Sequence, residues 1–460
     1  MLPIVTMRHA KRLCLESRGC GSRLAPGAGA VLIFLLGALA PYPGLAQSAP
    51  EPDKPVVFTL DEAIRRAQDN EPAFAAAAAE SRAMGLDRWV ARTGLLPTVD
   101  YNNQALYSQT NRGQTTPRFI ANNAAHEYSS QAVVNETVGL GQLAQVRRAD
   151  AAAARAAAEL EIARRGLKAT VTGLYYGLAA AENKLAVAER ARTEAGNFIG
   201  LTGKREQARE AAHADVVKAQ LVELQRIRGL GDARVAAEKA RLELGVLLFP
   251  DPRTPYTLAA AETAPALPTH GEAQQAAAKN NPELKSALAA LGVSNADVLA
   301  ARAAYLPSLG LNASYGIDAA QFAVNGPDHM RNLGYSASAT LNIPVWDWLA
   351  TEHKVKQSVI RRDAVRVALS AAQRNLIARI DEAYSEAATA NEQLASLDAS
   401  VATAADSLRL TKLRYAEGEA TVLEVVDAQN AFVDAENARE DGRVRSQAAR
   451  ADLETITGTM

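Results

Sequence analysis

The chain is written twice. The segment "DEAIRRAQDNEPAFAAAAAESRAMGLDRWVARTGLLPTVDYN" (61–102) and the segment "GEAQQAAAKNNPELKSALAALGVSNADVLAARAAYLPSLGLN" (271–312) carry Asn-x-Pro, Ala-Arg and Leu-Pro at matching places. Asn70 pairs with Asn280 and Pro97 with Pro307, and both 280 − 70 and 307 − 97 give 210. Further along, Tyr175 pairs with Tyr384, Leu201 with Leu410 and Ala219-Gln220 with Ala428-Gln429 at a separation of 209. So constant a separation marks an internal duplication whose unit is long enough for several elements and too long for one turn of a short-repeat solenoid. Whatever one half folds into, the other must fold into as well.

Each half opens with a helical segment of about 35 residues that stops at its Leu-Pro, because proline breaks the helix and pushes the preceding residue toward extended backbone. Period-2 segments follow. In "SLGLNASYGI" (308–317) Leu309, Leu311, Ala313, Tyr315 and Ile317 alternate with small or polar residues. In "LGYSASATLNI" (333–343) Leu333, Tyr335, Ala337, Ala339 and Leu341 alternate with glycine, serines and threonine. These predict strands with one apolar and one polar face, joined as a hairpin. The first half carries a weaker pair, around 98–109 and 127–137. The first repeat is thus expected over 60–249 with a hairpin at about 98–137, and the second over 271–457 with a hairpin at about 308–343. The Pro-, Ala- and Thr-rich stretch 250–270 and the segment 47–59 read as linkers.

Long helices complete each half. From Ile380 the apolar or small positions run through Ala383, Ala387, Ala390, Leu394, Leu397, Val401, Ala404, Leu408 and Thr411 to Tyr415, an unbroken 3-4 spacing. That period implies a left-handed coiled coil, and its many alanines imply close axes. A helix from about 346 to 415 spans roughly 100 Å at 1.5 Å per residue.

The N-terminus has basic residues from Arg8 to Arg23, the short apolar run "AVLIFLLGALA" (30–40) and small residues at Gly44 and Ala46. It reads as a secretory signal over 1–46, with a retained signal anchor as the alternative. Both cysteines, Cys14 and Cys20, precede the run, so the mature chain is expected to lack disulfides and cysteine nucleophiles. Lys plus Arg is 50 against Asp plus Glu 51, which offers no electrostatic footprint for nucleic acid. The six histidines form no His-x-x-x-His pair, and there is no phosphate-cradling glycine loop and no Gly-x-Ser-x-Gly. No protein-built metal site, cofactor site or catalytic constellation follows, and the chain does not read as an enzyme.

Four strands cannot pack a core to match helices so long, and cannot close a membrane barrel alone. Several chains contributing four strands each can close one, with apolar faces toward lipid and polar faces toward a water-filled lumen. The expected architecture is therefore mainly α, an oligomeric β-barrel standing on a helical tube. A soluble antiparallel sheet is the competing reading of the same alternation.

The duplicated Asn-x-Pro, the Leu-Pro entry to the strand, "NIPVWDW" (342–348) and above all "YAEGEATVLEVVDAQNAFVDAENA" (415–438) together resemble the TolC family of outer-membrane efflux and secretion channels. The resemblance covers about 58–457. It implies a homotrimer, a transmembrane barrel of twelve strands, a periplasmic coiled-coil tunnel, and work with an inner-membrane transporter and a periplasmic adaptor.

Carried over residue by residue, it also implies a site. Glu424 and Asp427, three apart and so on one face of a helix, become acids ringing the periplasmic aperture, with Asp215 as their first-repeat partner. Tyr415 and Gly418 become parts of the bonds and turn that close it. Ala420 stands where the family has an arginine of that network, and Lys218 occupies the first-half position of Asp427, so the closing bonds are expected to regroup around Lys218 or Arg209. Trp346 and Trp348 suit an aromatic girdle in outer-membrane lipid, or core packing where strand turns to helix. For Glu424 and Asp427 the bland alternative is a solvated coiled-coil face. For the whole chain the alternative is a periplasmic coiled-coil adaptor or scaffold without a pore.

Overall fold

The structure, a computed structural model, describes residues 56–107, 126–259, 266–326 and 329–458. The expected signal segment 1–46, most of the 47–59 linker and the turn of the first hairpin lie outside these residues. Element order repeats. The first half runs β1 (Val56–Phe58), α1 (Leu60–Asn70), α2 (Pro72–Thr93), β2 (Thr98–Tyr107), β3 (His126–Val138), α3 (Leu140–Gln207) and α4 (His213–Leu248). The second runs β4 (Tyr256–Leu258), α5 (His270–Asn280), α6 (Pro282–Ala303), β5 (Ser308–Ala319), β6 (Leu333–Asn342), α7 (Ala350–Ala416) and α8 (Val422–Thr457).

Two sequence expectations are corrected. The opening 35-residue helix of each half is two helices, broken at Glu71 and at Asn281. Pro72 and Pro282 occupy the first position of the second helix. Proline is preorganised there but denies its predecessor helical geometry, so the Asn-x-Pro motif is a stop and a start. The expected linkers also carry structure. Val56–Phe58 and Tyr256–Leu258 pair as parallel strands, and Phe58 and Tyr256 are buried in a core with Ile64, Val171, Leu178 and Leu244. Tyr175 Oη donates to the carbonyls of Phe58 and Ala259, tying both strands to the middle of α3. A three-residue strand just after a proline, Pro55 in one case and Pro255 in the other, is too short to show a period. Tyr384, the repeat mate of Tyr175, packs against the second half's own core of Ala273, Ala277, Ile380, Ala387 and Leu453.

The four long strands form one antiparallel sheet in the order β2-β3-β5-β6. Its register sorts the faces as the alternation predicts: Leu309 lies opposite Leu341, Ala313 opposite Ala337 and Tyr315 opposite Tyr335. On the other face Asn312 bonds Asn135 at 2.6 Å, Ser314 bonds Ser336 at 2.8 Å, and Gln131 Nε2 donates to Asp318 at 3.3 Å. Among the described residues both outer strands have one unpaired edge.

Helices α3 and α7 have 68 and 67 residues, about 100 Å each. Each folds back through a short turn into a 36-residue partner, α4 or α8. The α7/α8 pair is close: a Cβ on Gly442 would sit 2.3 Å from Leu397 Cδ1. Beside the sheet the helices follow the strand order, α2 on α3, α3 on α6 and α6 on α7. Among the described residues no helix is long and apolar enough to cross a membrane.

Candidate functional site

The aperture and gate residues suggested by resemblance gather at the ends of the long helices farthest from the sheet. There α3 turns into α4 and α7 turns into α8, and the two turns are repeat mates. Helix α7 closes with a Schellman cap: Gly418 N–H donates to Tyr415 O at 3.1 Å, and Glu419 N–H to Arg414 O at 2.8 Å. Helix α3 closes the same way, Arg209 N–H to Glu206 O at 2.9 Å and Glu210 N–H to Arg205 O at 2.8 Å. The left-handed residue is Gly418 (φ 85°) in one and Arg209 (φ 61°) in the other. Glycine takes that backbone freely, whereas a side chain there costs about 1–2 kcal/mol. Gly418→Ala is therefore expected to lower the thermal unfolding midpoint in detergent, and Arg209→Gly to raise it; equal midpoints would mean the caps carry no strain.

The next helices start on acids. Thr421 caps α8, its hydroxyl accepting from Glu424 N–H at 3.3 Å, while Glu424 Oε1 accepts from Thr421 N–H at 3.3 Å. This is a capping box. The second carboxylate oxygen of Glu424 lies 3.6 Å from Arg414 Nη1. Asp215 holds the same place in α4 and accepts from Ala212 N–H at 3.4 Å, but an alanine cap returns no side-chain bond. Glu424 and Asp427 are both exposed, and Asp427 makes no ion pair with another described residue. Lys218, half-buried, also pairs with no described residue.

Tyr415 is buried at 4% exposure in a cluster with Phe198, Ala219, Val222, Ala420, Val422, Val425 and Val426. Its hydroxyl donates to Thr202 Oγ1 of α3 at 3.2 Å. The Arg205 guanidinium lies over the Tyr415 ring, 4.8 Å from its centre, and donates from Nη1 to the Tyr415 carbonyl. Within one copy it is Arg205 that reaches Tyr415, because α3 carries it to the foot of α7, while Arg209 takes the left-handed position of the turn. Sequence reasoning missed Arg205, Thr202 and Arg414. The duplication held the signal: Arg205 and Arg414, Glu210 and Glu419, and Thr202 and Thr411 are all 209 apart.

At the other end of α7, Trp346 and Trp348 are 68% and 84% exposed, with rings 6.0 Å apart, so the core-packing alternative fails within the chain. Trp348 and Leu349 have φ of 57° and 64° and turn the strand into the helix. Asp347 Oδ2 accepts from Thr351 N–H at 2.7 Å there.

Residues 273–459, nearly the whole second repeat, match the family described as outer membrane efflux protein. The chain is 31% identical over 193 residues to the protein CyaE of Bordetella pertussis, covering 41% of this chain and 40% of that one. It is 27% identical over 175 residues to the outer membrane protein OprJ of Pseudomonas aeruginosa, covering 38% and 36%. These alignments thus span about two fifths of the length of the curated relatives. Its fold is similar to that of the CmeC outer membrane channel of Campylobacter jejuni, with a TM-score of 0.74 at 15% identity over 87% of this chain and 85% of that one. These likenesses agree with the resemblance to the TolC family read from the residues.

Proposed function

We propose that this chain is an outer-membrane exit duct for efflux of small molecules or for secretion. Three copies close a twelve-stranded barrel from their four-stranded sheets, and their long helices form a periplasmic tunnel that docks on an adaptor and an inner-membrane transporter. The carrying observation is the open sheet. Its outer strands have unpaired edges, and its apolar face leaves Tyr315, Tyr335 and Leu341 at 58%, 87% and 60% exposure. A soluble sheet does not leave such a face in water, and closure of several copies in lipid satisfies edges and face together.

Internal symmetry supports the assembly. Helix α6 buries Ala296 and Val298 between its neighbours α3 and α7, whereas its repeat mate α2 has no buried residue. Leu86, Trp89 and Val90 on α2 are 63–68% exposed. Helix α2 has α3 on one side; the place that α7 fills beside α6 is taken by α7 of the next copy, whose Ile360 and Val367 are equally bare.

At the far end Glu424, Asp427 and Asp215 supply the acidic mouth, and Tyr415, Gly418 and Lys218 belong to the turns that shape it. Threefold symmetry gathers six carboxylates from Glu424 and Asp427, enough to favour cations at a narrow opening. Planar-bilayer recording of the trimer tests both parts. A cation-selective conductance blocked by divalent cations from one side is expected, with selectivity and block both weakened by Glu424→Ala with Asp427→Ala. Folded, membrane-inserted trimer without ion flow, even after mutation of the tip, would sink the duct; unchanged selectivity in the double variant would sink the acidic mouth alone.

A further inference from the structure

Just above the tip cluster, helices α3, α7 and α8 with Arg226 of α4 line a groove of about 740 Å³, the size of a small-molecule site. Its apolar lining comes from Val187, Leu408, Phe432 and Val433. Two donors in its wall lack an anionic partner. Gln429 is 6% exposed, and its Nε2 has no hydrogen-bond partner, a state native interiors rarely leave standing. Among the described residues Arg226 donates only to the neutral side-chain oxygen of Asn430, the residue next to Gln429. Burial pushes its guanidinium pKa down, and the charge of Asp434 opposes that shift without forming an ion pair. Elsewhere on the wall charge is spent internally: Arg190 pairs with Glu436 at 2.7 Å, and Lys412 pairs with Glu194.

We propose that this groove binds an amphipathic organic anion of the long-chain carboxylate class, its chain against Leu408, Phe432 and Val433 and its carboxylate held by Gln429 Nε2 and the Arg226 guanidinium. The guanidinium can only donate and the unpartnered group of Gln429 is its amide NH2, so an acceptor-only head group completes both where an ammonium does not. Arg190, Arg409 and Lys412 are each paired with a carboxylate of Glu436, Asp406 or Glu194, so the guanidinium of Arg226, bonded to the neutral Asn430, sets the sign of the ligand. The proposal needs no pore, so the test below stands apart from any conductance result.

The test uses the mature trimer in amphipol titrated with dansylaminoundecanoic acid, with dodecanoate and dodecyltrimethylammonium as competitors. One saturable site per chain is expected, displaced by dodecanoate and not by the cation. Arg226→Gln and Gln429→Leu should each weaken binding about tenfold, the worth of one charge-assisted hydrogen bond. Leu408→Trp should abolish it by filling the groove with the polar groups intact. Gln429→Leu removes an unsatisfied amide and should fold at least as well as the parent, so a loss there is a loss of contact. Displacement by the cation as readily as by dodecanoate, or equal affinity in all three variants, overturns the site. So does a Leu408→Cys trimer that maleimide cannot reach, because a neighbouring copy then fills the groove.

Discussion

Under the trimer reading, Leu86→Asp with Trp89→Asp is expected to yield a folded chain that no longer assembles. Each of these side chains stands bare on α2, and covering one large apolar side chain contributes about 1.5–3 kcal/mol. Across three interfaces their loss, with carboxylates driven toward an apolar contact, removes enough to dissociate a trimer. Within the chain nothing changes, because α2 buries no residue of its own. The repeat mate makes the contrast. Ala296 stands 210 positions after Leu86 and is 4% exposed inside the chain, so Ala296→Asp should impair folding itself rather than assembly alone. Light scattering of detergent-solubilised protein separates the two: monomer with native helical signal for the α2 variant, loss of helical signal for Ala296→Asp. A trimer that survives both α2 substitutions would mean that this face does not meet another copy.

The same symmetry explains what was legible in the sequence. The second hairpin was plain because every polar residue of β5 and β6 lies on one face. The first was faint for a local reason. Asn103 shares the apolar face with Tyr101, and it is tolerated because Ser130 donates to Asn103 Oδ1 at 2.7 Å while lying 2.9 Å from Tyr101 Oη. A satisfied polar trio breaks alternation without breaking the sheet. The long helices were legible because one seam, Ile380 through Tyr415, is kept over many turns. The tip was legible only in outline. Tyr415 and Gly418 could be placed, but which α3 side chain meets Tyr415 depends on how two helices about 100 Å long slide against each other, and local spacing does not contain that. Glu424 adds a second lesson. Thr421-x-x-Glu424 is a capping box in the sequence as much as in the structure, so the residue is a helix start as well as a candidate aperture acid.

Under the channel reading, Arg205→Ala is expected to give the largest rise in single-channel conductance of any change at the tip. Arg205 clamps the foot of α7 to α3 through a charge-assisted bond to the Tyr415 carbonyl, about 1.5–3 kcal/mol, and through its position over the Tyr415 ring, about 0.5–2 kcal/mol. It is also held by Glu210, 3.6 Å from Nε. Tyr415→Phe removes only the bond to Thr202, about 1 kcal/mol, and should open the channel less. The discriminating control is Arg414→Ala. Arg414 is the repeat mate of Arg205, yet its side chain is 54% exposed and its ion pair with Glu424 spans 3.6 Å, a class worth about 0–1 kcal/mol. If the clamp holds the mouth shut, Arg205→Ala conducts well above the parent and Arg414→Ala close to it. If the two variants conduct alike, the buried contact to Tyr415 does not govern the opening, and Arg205 serves only to pack the two halves of the chain together.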